Sequence, residues 1–200
     1  MQSRLTKAVL LFAAVAASTC AMAHSGADAH GHTGFIAGFI HPLTGLDHMA
    51  VMVCVGIWSA MAARRFGPEL LWGPLAFANM LLVGAAFGLQ GVHLAAVEPM
   101  IAASVLIMGL LVATRLPLPA IAASVLTSVF AVFHGLSHGF ELANSASAFQ
   151  TLAGMLCATA LLHCTGLAMG WTMRERSAWM PRTLGTGVAA LGSALLIHLG

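Results

Sequence analysis

Six apolar stretches, each long enough to cross a lipid bilayer, decide what this chain can fold into. A transmembrane helix needs about 20 predominantly apolar residues. Only 7% of the 200 residues are charged, whereas a soluble domain carries about 25%. We therefore predict an all-α, polytopic membrane protein with six transmembrane helices. The stretches lie at about 36–63, 70–90, 93–114, 119–142, 149–171 and 183–200.

The first 23 residues predict a cleavable signal peptide. Arg4 and Lys7 precede an apolar core at 8–17 that is too short to span, and Ala21-Met22-Ala23 fits a cleavage site. The chain that remains after cleavage begins with a short polar tail. The predicted parts are a signal peptide at 1–23, a periplasmic His-containing tail at 24–35 with His24, His30 and His32, and a six-helix transmembrane domain at 36–200.

The arginines that follow the signal peptide predict how the chain is oriented in the membrane. Cytoplasmic loops are enriched in Lys and Arg, and here the arginines fall only after the first, third and fifth stretches. A cleaved signal peptide would also leave the new N-terminus outside. Both features predict an inner-membrane protein with both ends in the periplasm. The arginines are Arg64 and Arg65, then Arg115, then Arg174, Arg176 and Arg182.

Several ionisable side chains lie within the apolar stretches, although such groups are costly there: Asp, Lys or Arg costs about 2.5–3.5 kcal/mol at a helix centre on insertion scales. Intramembrane groups of this kind are functional by default. They are imidazoles and carboxylates, which together bind divalent transition metals. We predict a metal site from these side chains, which are His41, Asp47, His48, Glu98, His134, His138, Glu141 and His163.

Spacing and depth favour convergence of these side chains. His134, His138 and Glu141 are four and three residues apart, so they share one helix face. His41 and His48 share a face only if the intervening stretch is helical, a condition that Pro42 and Gly45 leave open. In the predicted orientation both groups and Glu98 lie toward the periplasmic surface. His163 lies deeper, where it could serve as a relay point.

Other interpretations of these residues remain open. The clusters could form a buried polar network, and a lone membrane histidine is more often a packing residue. A zinc-dependent intramembrane hydrolase would use the same residue types, and a metal-binding scaffold would need no transport. Lys7 is the only lysine, so a phosphate-binding P-loop is excluded after cleavage. We expect no NTP, no nucleic-acid partner, no prosthetic group and no enzymatic activity.

Two motifs resemble those of the HupE/UreJ family of nickel/cobalt permeases. They are His41-Pro42-x-x-Gly45-x-Asp47-His48 and His134-Gly135-x-x-His138-Gly139-x-Glu141, with Leu162-His163-x-x-Gly166 as a weaker third. The resemblance covers essentially the whole chain. It implies uptake of Ni²⁺ or Co²⁺ through a site of His41, Asp47, His48, His134, His138 and Glu141; depth and chemistry add Glu98 and His163. The first and fourth spans carry the motifs and run in opposite directions, so a three-plus-three inverted repeat is a further expectation.

Overall fold

The computed structural model describes residues 34–176 and 179–199, and this part of the chain is built of helices joined by short loops. The predicted signal peptide and the histidines at 24, 30 and 32 lie outside the described residues. Five helices are long and apolar enough to cross a membrane, and a bent helix pair at the start is a sixth candidate span when the pair is taken as one. The helices are α1 (Phe35–Thr44), α2 (Leu46–Ala62), α3 (Trp72–Leu89), α4 (Val97–Thr114), α5 (Ala120–Glu141), α6 (Ala148–Arg176) and α7 (Trp179–His198), with a 3₁₀ turn at Pro68–Leu71 before α3.

Of the two residues that left the helix in doubt, Pro42 and Gly45, the structure places the break at Gly45. Pro42 is accommodated inside α1. Gly45 has an extended backbone between the two helices, whose axes differ by 80°. The carbonyl of His41 accepts from the backbone N–H of Gly45 at 3.0 Å and from the hydroxyl of Thr44 at 3.1 Å, so the end of α1 is capped at this residue. His41 and His48 therefore lie on different helices.

Three predicted boundaries need correction. Residues 91–96 form a turn around Gly91, whose φ of 85° favours glycine, so α4 begins at Val97 and not at 93. Helix α6 continues past the predicted end at 171. Pro181 was predicted to lie in a loop but lies in the first turn of α7, where a missing N–H leaves no helical bond unmade. The apolar pattern located the spans, while the ends depended on turns and caps.

The helices pack mainly in three pairs: the broken first span with α6, α3 with α5, and α4 with α7. Each pair crosses with its backbones close together, because small residues face each other. At the α3–α5 crossing a Cβ on Gly135 or Gly139 would overlap the carbonyl oxygen of Leu81 or Ala85. Membrane helices use small residues in this way to approach closely.

The arginine-bearing loops meet at one end of the helix bundle. The guanidinium of Arg115 donates to the carbonyl of Arg174 at 3.2 Å, and that of Arg174 donates to the carbonyl of Arg64 at 3.4 Å. Arg174 also lies 4.5 Å from the ring centre of Trp171. The segments that follow the first, third and fifth apolar stretches thus lie at one end of the helix bundle, which is the arrangement that the arginine pattern predicted.

Candidate metal centre

Four histidine rings from three helices form a compact group near the end of the bundle opposite the arginines. His41 comes from α1, His48 from α2, and His134 and His138 from α5. The ring centre of His138 lies 5.0 Å from that of His41 and 4.6 Å from that of His48. His48 is also 5.0 Å from His134. The break at Gly45 makes this possible, because it turns α1 so that His41 approaches α5.

Three of these rings are placed to share one ligand. His41, His48 and His138 each offer a nitrogen, and these nitrogens all lie within 4.8 Å of one another. Imidazole nitrogens bound at 2.0–2.1 Å to one metal lie about 3–4 Å apart, so small side-chain rotations would complete the site. His41 is exposed while His48 and His138 are buried. The group is therefore open on the side of His41 and closed below.

Asp47 fixes the orientation of His48. Its Oδ1 atom lies 2.9 Å from Nδ1 of the His48 ring and also accepts from the backbone N–H of His48 at 2.9 Å. Asp47 lies in the first turn of α2, where the helix dipole favours a negative charge. With the proton on Nδ1, the lone pair of His48 is on Nε2. This is the carboxylate–imidazole arrangement that typically supports a metal-binding histidine.

Ser104 plays the corresponding part for His134, and the sequence interpretation missed it. Its hydroxyl donates to the carbonyl of Ile101 at 2.6 Å and lies 3.0 Å from Nε2 of His134. With its proton given to Ile101, the oxygen accepts from His134, whose lone pair is then on Nδ1. The only signal was a serine within an apolar span, which is weak because such hydroxyls commonly bond to their own helix.

Two acidic side chains lie in an outer cleft rather than among the packed rings. Glu98 and Glu141 both line a cleft of about 200 Å³ together with His93 and Phe140. The carboxylate of Glu141 is 3.9 Å from Nδ1 of His138, which is beyond hydrogen-bonding distance. Half or more of its surface is exposed. The cleft thus places a carboxylate, that of Glu141, next to the His138 ring.

His163 lies apart from the four rings, below a phenylalanine. The ring centre of Phe77 is 5.7 Å from that of His134 and 5.3 Å from that of His163. Phe77 is completely buried and His163 nearly so. Sequence reasoning placed His163 deeper in the membrane than the clusters, and that depth stays a prediction. It did not identify Phe77, which looks like any core residue of an apolar span.

Unpartnered ring nitrogens distinguish this group from a buried polar network. A network that holds helices together has its buried polar atoms satisfied. Here the buried nitrogens have no hydrogen-bond partner among the described residues, although a buried polar atom without a hydrogen bond costs about 1–3 kcal/mol of stability. A divalent transition-metal ion is the ligand that fits imidazole lone pairs supported by carboxylates. The atoms are Nε2 of His48, Nδ1 of His134, both ring nitrogens of His138 and Nε2 of His163.

The fold and the histidine group define a class: a multi-pass helical membrane protein with ionisable side chains gathered inside the helix bundle. The family model described as HupE / UreJ protein matches residues 11–195. The protein named HupE from Rhizobium leguminosarum bv. viciae is 37% identical over 195 residues, which cover 96% of this chain and 98% of that protein. The chain belongs to the HupE/UreJ family, which is associated with nickel and cobalt uptake. No solved structure matches it.

Proposed function

We propose that this protein carries a divalent transition-metal ion, nickel or cobalt, across the bacterial inner membrane from the periplasm to the cytoplasm. The observation that carries the proposal is the group of unpartnered imidazole nitrogens from three helices within a membrane-spanning bundle. Family membership supports the choice of ion. The arginines at the opposite end of the bundle support the direction, since that end is then cytoplasmic.

The position of each residue suggests its role in binding the ion. His41, His48 and His138 bind the ion first, with His134 next to them. Asp47 orients His48 and supplies a negative charge, while Glu98 and Glu141 attract the hydrated cation into the outer cleft. These carboxylates offset the charge of a dication that would be costly to bury alone. The histidines at 24, 30 and 32 raise the metal concentration at the entrance.

The ion then moves inward toward His163. The buried ring of Phe77 contacts both His134 and His163, so on the proposed path this ring, or the helices that hold it, must move before the ion passes. The family association does not extend to a known enzymatic reaction. The residues of this chain therefore bind, orient and release the ion. The concentration gradient of the ion, or a partner protein, supplies the driving force.

Flux into vesicles tests the proposal directly. The purified protein in liposomes that enclose a metal-sensitive dye should admit Ni²⁺ or Co²⁺ faster than protein-free liposomes, and Mg²⁺ should not compete. Mg²⁺ prefers oxygen ligands, whereas imidazole suits nickel. Metal bound by the protein without any flux would make it a scaffold. One retained zinc ion with hydrolysis of a lipid or peptide would make it an enzyme.

Replacing Asp47 should weaken metal binding without abolishing it. The Asp47→Asn variant keeps the size of the side chain but loses the charged acceptor that orients His48. Partners of this kind cost about 10–100-fold in metal affinity when mutated. Calorimetric titration of the purified protein with Ni²⁺ should show a loss in this range. The matched control is Glu69→Gln, which removes an exposed carboxylate in the 3₁₀ turn and should bind as the wild type does. Equal affinity in Asp47→Asn and wild type would contradict the orienting role.

A further inference from the structure

The crossing of α2 with α6 repeats the crossing of α3 with α5, residue for residue. Three close contacts between a glycine and the carbonyl of the facing helix occur in both. Each residue of α2 that makes such a contact has a counterpart in α5 that is 79 residues later in the chain, as 135 is to 56. Each such residue of α3 has a counterpart in α6 that is 82 residues later, as 163 is to 81. The matching contacts are Gly135–Leu81 with Gly56–His163, Gly84–Val132 with Gly166–Val53, and Gly88–Leu136 with Gly170–Ile57.

The third pair of helices, α4 and α7, fits the same correspondence, in which each of the two helices is the counterpart of the other. Gly109 of α4 lies against Gly185 and Ala189 of α7, and Gly185 lies against Gly109 and Ala113. Exchanging the two helices therefore reproduces the contact. This is the behaviour of two elements related by a two-fold axis that passes between them.

Short sequence similarities follow the same correspondence. Residues 53–60 read VCVGIWSA and residues 132–139 read VFHGLSHG, so both place valine, glycine, an aliphatic residue and a small residue at the same intervals. Residues 84–88 and 166–170 read GAAFG and GLAMG. Residues 109–113 and 185–189 read GLLVA and GTGVA. Each match joins spans that are three apart and therefore run in opposite directions, which makes the repeat an inverted one.

The relation assigns counterparts to the histidines. Under the difference of 79, His48 corresponds to Thr127 and His138 corresponds to Ser59. Ser59 lies eleven residues after His48 in α2, about 16 Å further along the helix axis. The two hydroxyl residues are thus at the arginine end, in the place that mirrors the histidine group.

Ser59 and Thr127 both lie next to Gly73 in the structure. The hydroxyl of Thr127 lies 3.3 Å from the carbonyl oxygen of Gly73, and a Cβ on Gly73 would be 2.7 Å from the hydroxyl oxygen of Ser59. Both residues are buried. They are small and carry oxygen, which binds nickel and cobalt less tightly than imidazole does. A weak oxygen site suits release, because conduction requires that the ion can leave.

We propose that the protein consists of two inverted three-span repeats, and that Ser59 and Thr127 form the exit gate for a divalent transition-metal ion at the end opposite the histidine group. The gate is closed in this structure, in which His41 is exposed and Ser59 is buried. It opens when the two repeats exchange conformations, as in carriers with inverted repeats. This inference rests on the proposed transport function.

Substitutions at Ser59 and Thr127 should reduce metal transport without changing metal binding. The double variant Ser59→Ala with Thr127→Val should bind Ni²⁺ within twofold of wild type in calorimetry, while its flux into liposomes falls at least tenfold. The matched control Thr165→Val removes an exposed intramembrane hydroxyl bonded only to its own helix and should transport normally. Flux within twofold of wild type in the double variant, or an equal loss of binding and flux, would overturn the assignment.

Cysteine accessibility tests the gate without relying on transport. In a protein without its native cysteines, Ser59→Cys should react with a membrane-impermeant maleimide applied from the arginine side, and much more slowly from the histidine side. The comparison is a protein that keeps only Cys54, which is buried in the same helix and should react at least tenfold more slowly from either side. A Ser59→Cys protein as unreactive as the Cys54 protein would refute the gate. Absent wild-type flux with the expected labelling would refute the proposed function alone.

Discussion

The His138→Ala variant should lose metal uptake entirely while still inserting into the membrane. His138 is the ring closest to both His41 and His48, so its removal leaves two imidazoles where three converge. Since loss of an orienting partner alone costs about 10–100-fold in metal affinity, loss of a ligand should cost more than 100-fold. Accumulation of nickel in cells without another nickel importer should then equal that of cells without the protein.

The control for this variant is His198→Ala, which removes an exposed histidine in the last turn of α7. Because His138 is buried, its truncation also risks a folding defect. The His41→Ala variant avoids that risk, since His41 is exposed and contributes to the same three-ring group. Normal uptake by both His41→Ala and His138→Ala, each present in the membrane at the wild-type level, would remove these histidines from the transport path.

The Gly139→Leu variant should yield little folded protein. A Cβ at this position would overlap the carbonyl of Ala85, and backbone atoms cannot rotate away as a side chain can. Overpacking costs about 1–3 kcal/mol or more when the surroundings cannot yield, and α5 carries two of the four clustered histidines. Size-exclusion recovery and the melting temperature in detergent should both fall.

The Gly187→Leu variant provides the matched comparison for Gly139→Leu. Gly187 also lies in a membrane helix, α7, but a Cβ there would meet nothing within 4 Å. Both substitutions replace a helical glycine with the same large side chain, and they differ in what it meets. Equal recovery and equal melting temperatures for the two variants would show that the close crossing of α3 and α5 contributes little to stability.

The apolar pattern and the histidine spacing predicted much of the architecture, because both depend on local rules. The six apolar stretches located the five long helices and the bent pair, and the separation of His134 from His138 placed both on one helix face. The break at Gly45 could not be located in the same way. A proline and a glycine lie three residues apart there, and the packing of the whole bundle decides which one ends the helix.

Contacts between distant helices account for what the sequence did not reveal. Ser104 gains its importance only from its distance to His134 on another helix. Glu98 was predicted at the same depth as the histidines, but depth alone could not say that it lines a cleft with Glu141. The matching glycines were visible in the sequence, yet their correspondence emerged only when the facing carbonyls were known.

For the proposed transport, Phe77 sets an upper bound on the rate at which ions pass. Its ring contacts two imidazoles, those of His134 and His163, with ring centres 5.7 and 5.3 Å away, and none of its surface is exposed. Buried aromatic rings move aside only together with the helices around them, and collective motions of that kind take about microseconds to milliseconds. If the protein transports metal as proposed, we expect one ion per structural cycle and a throughput far below that of an open pore.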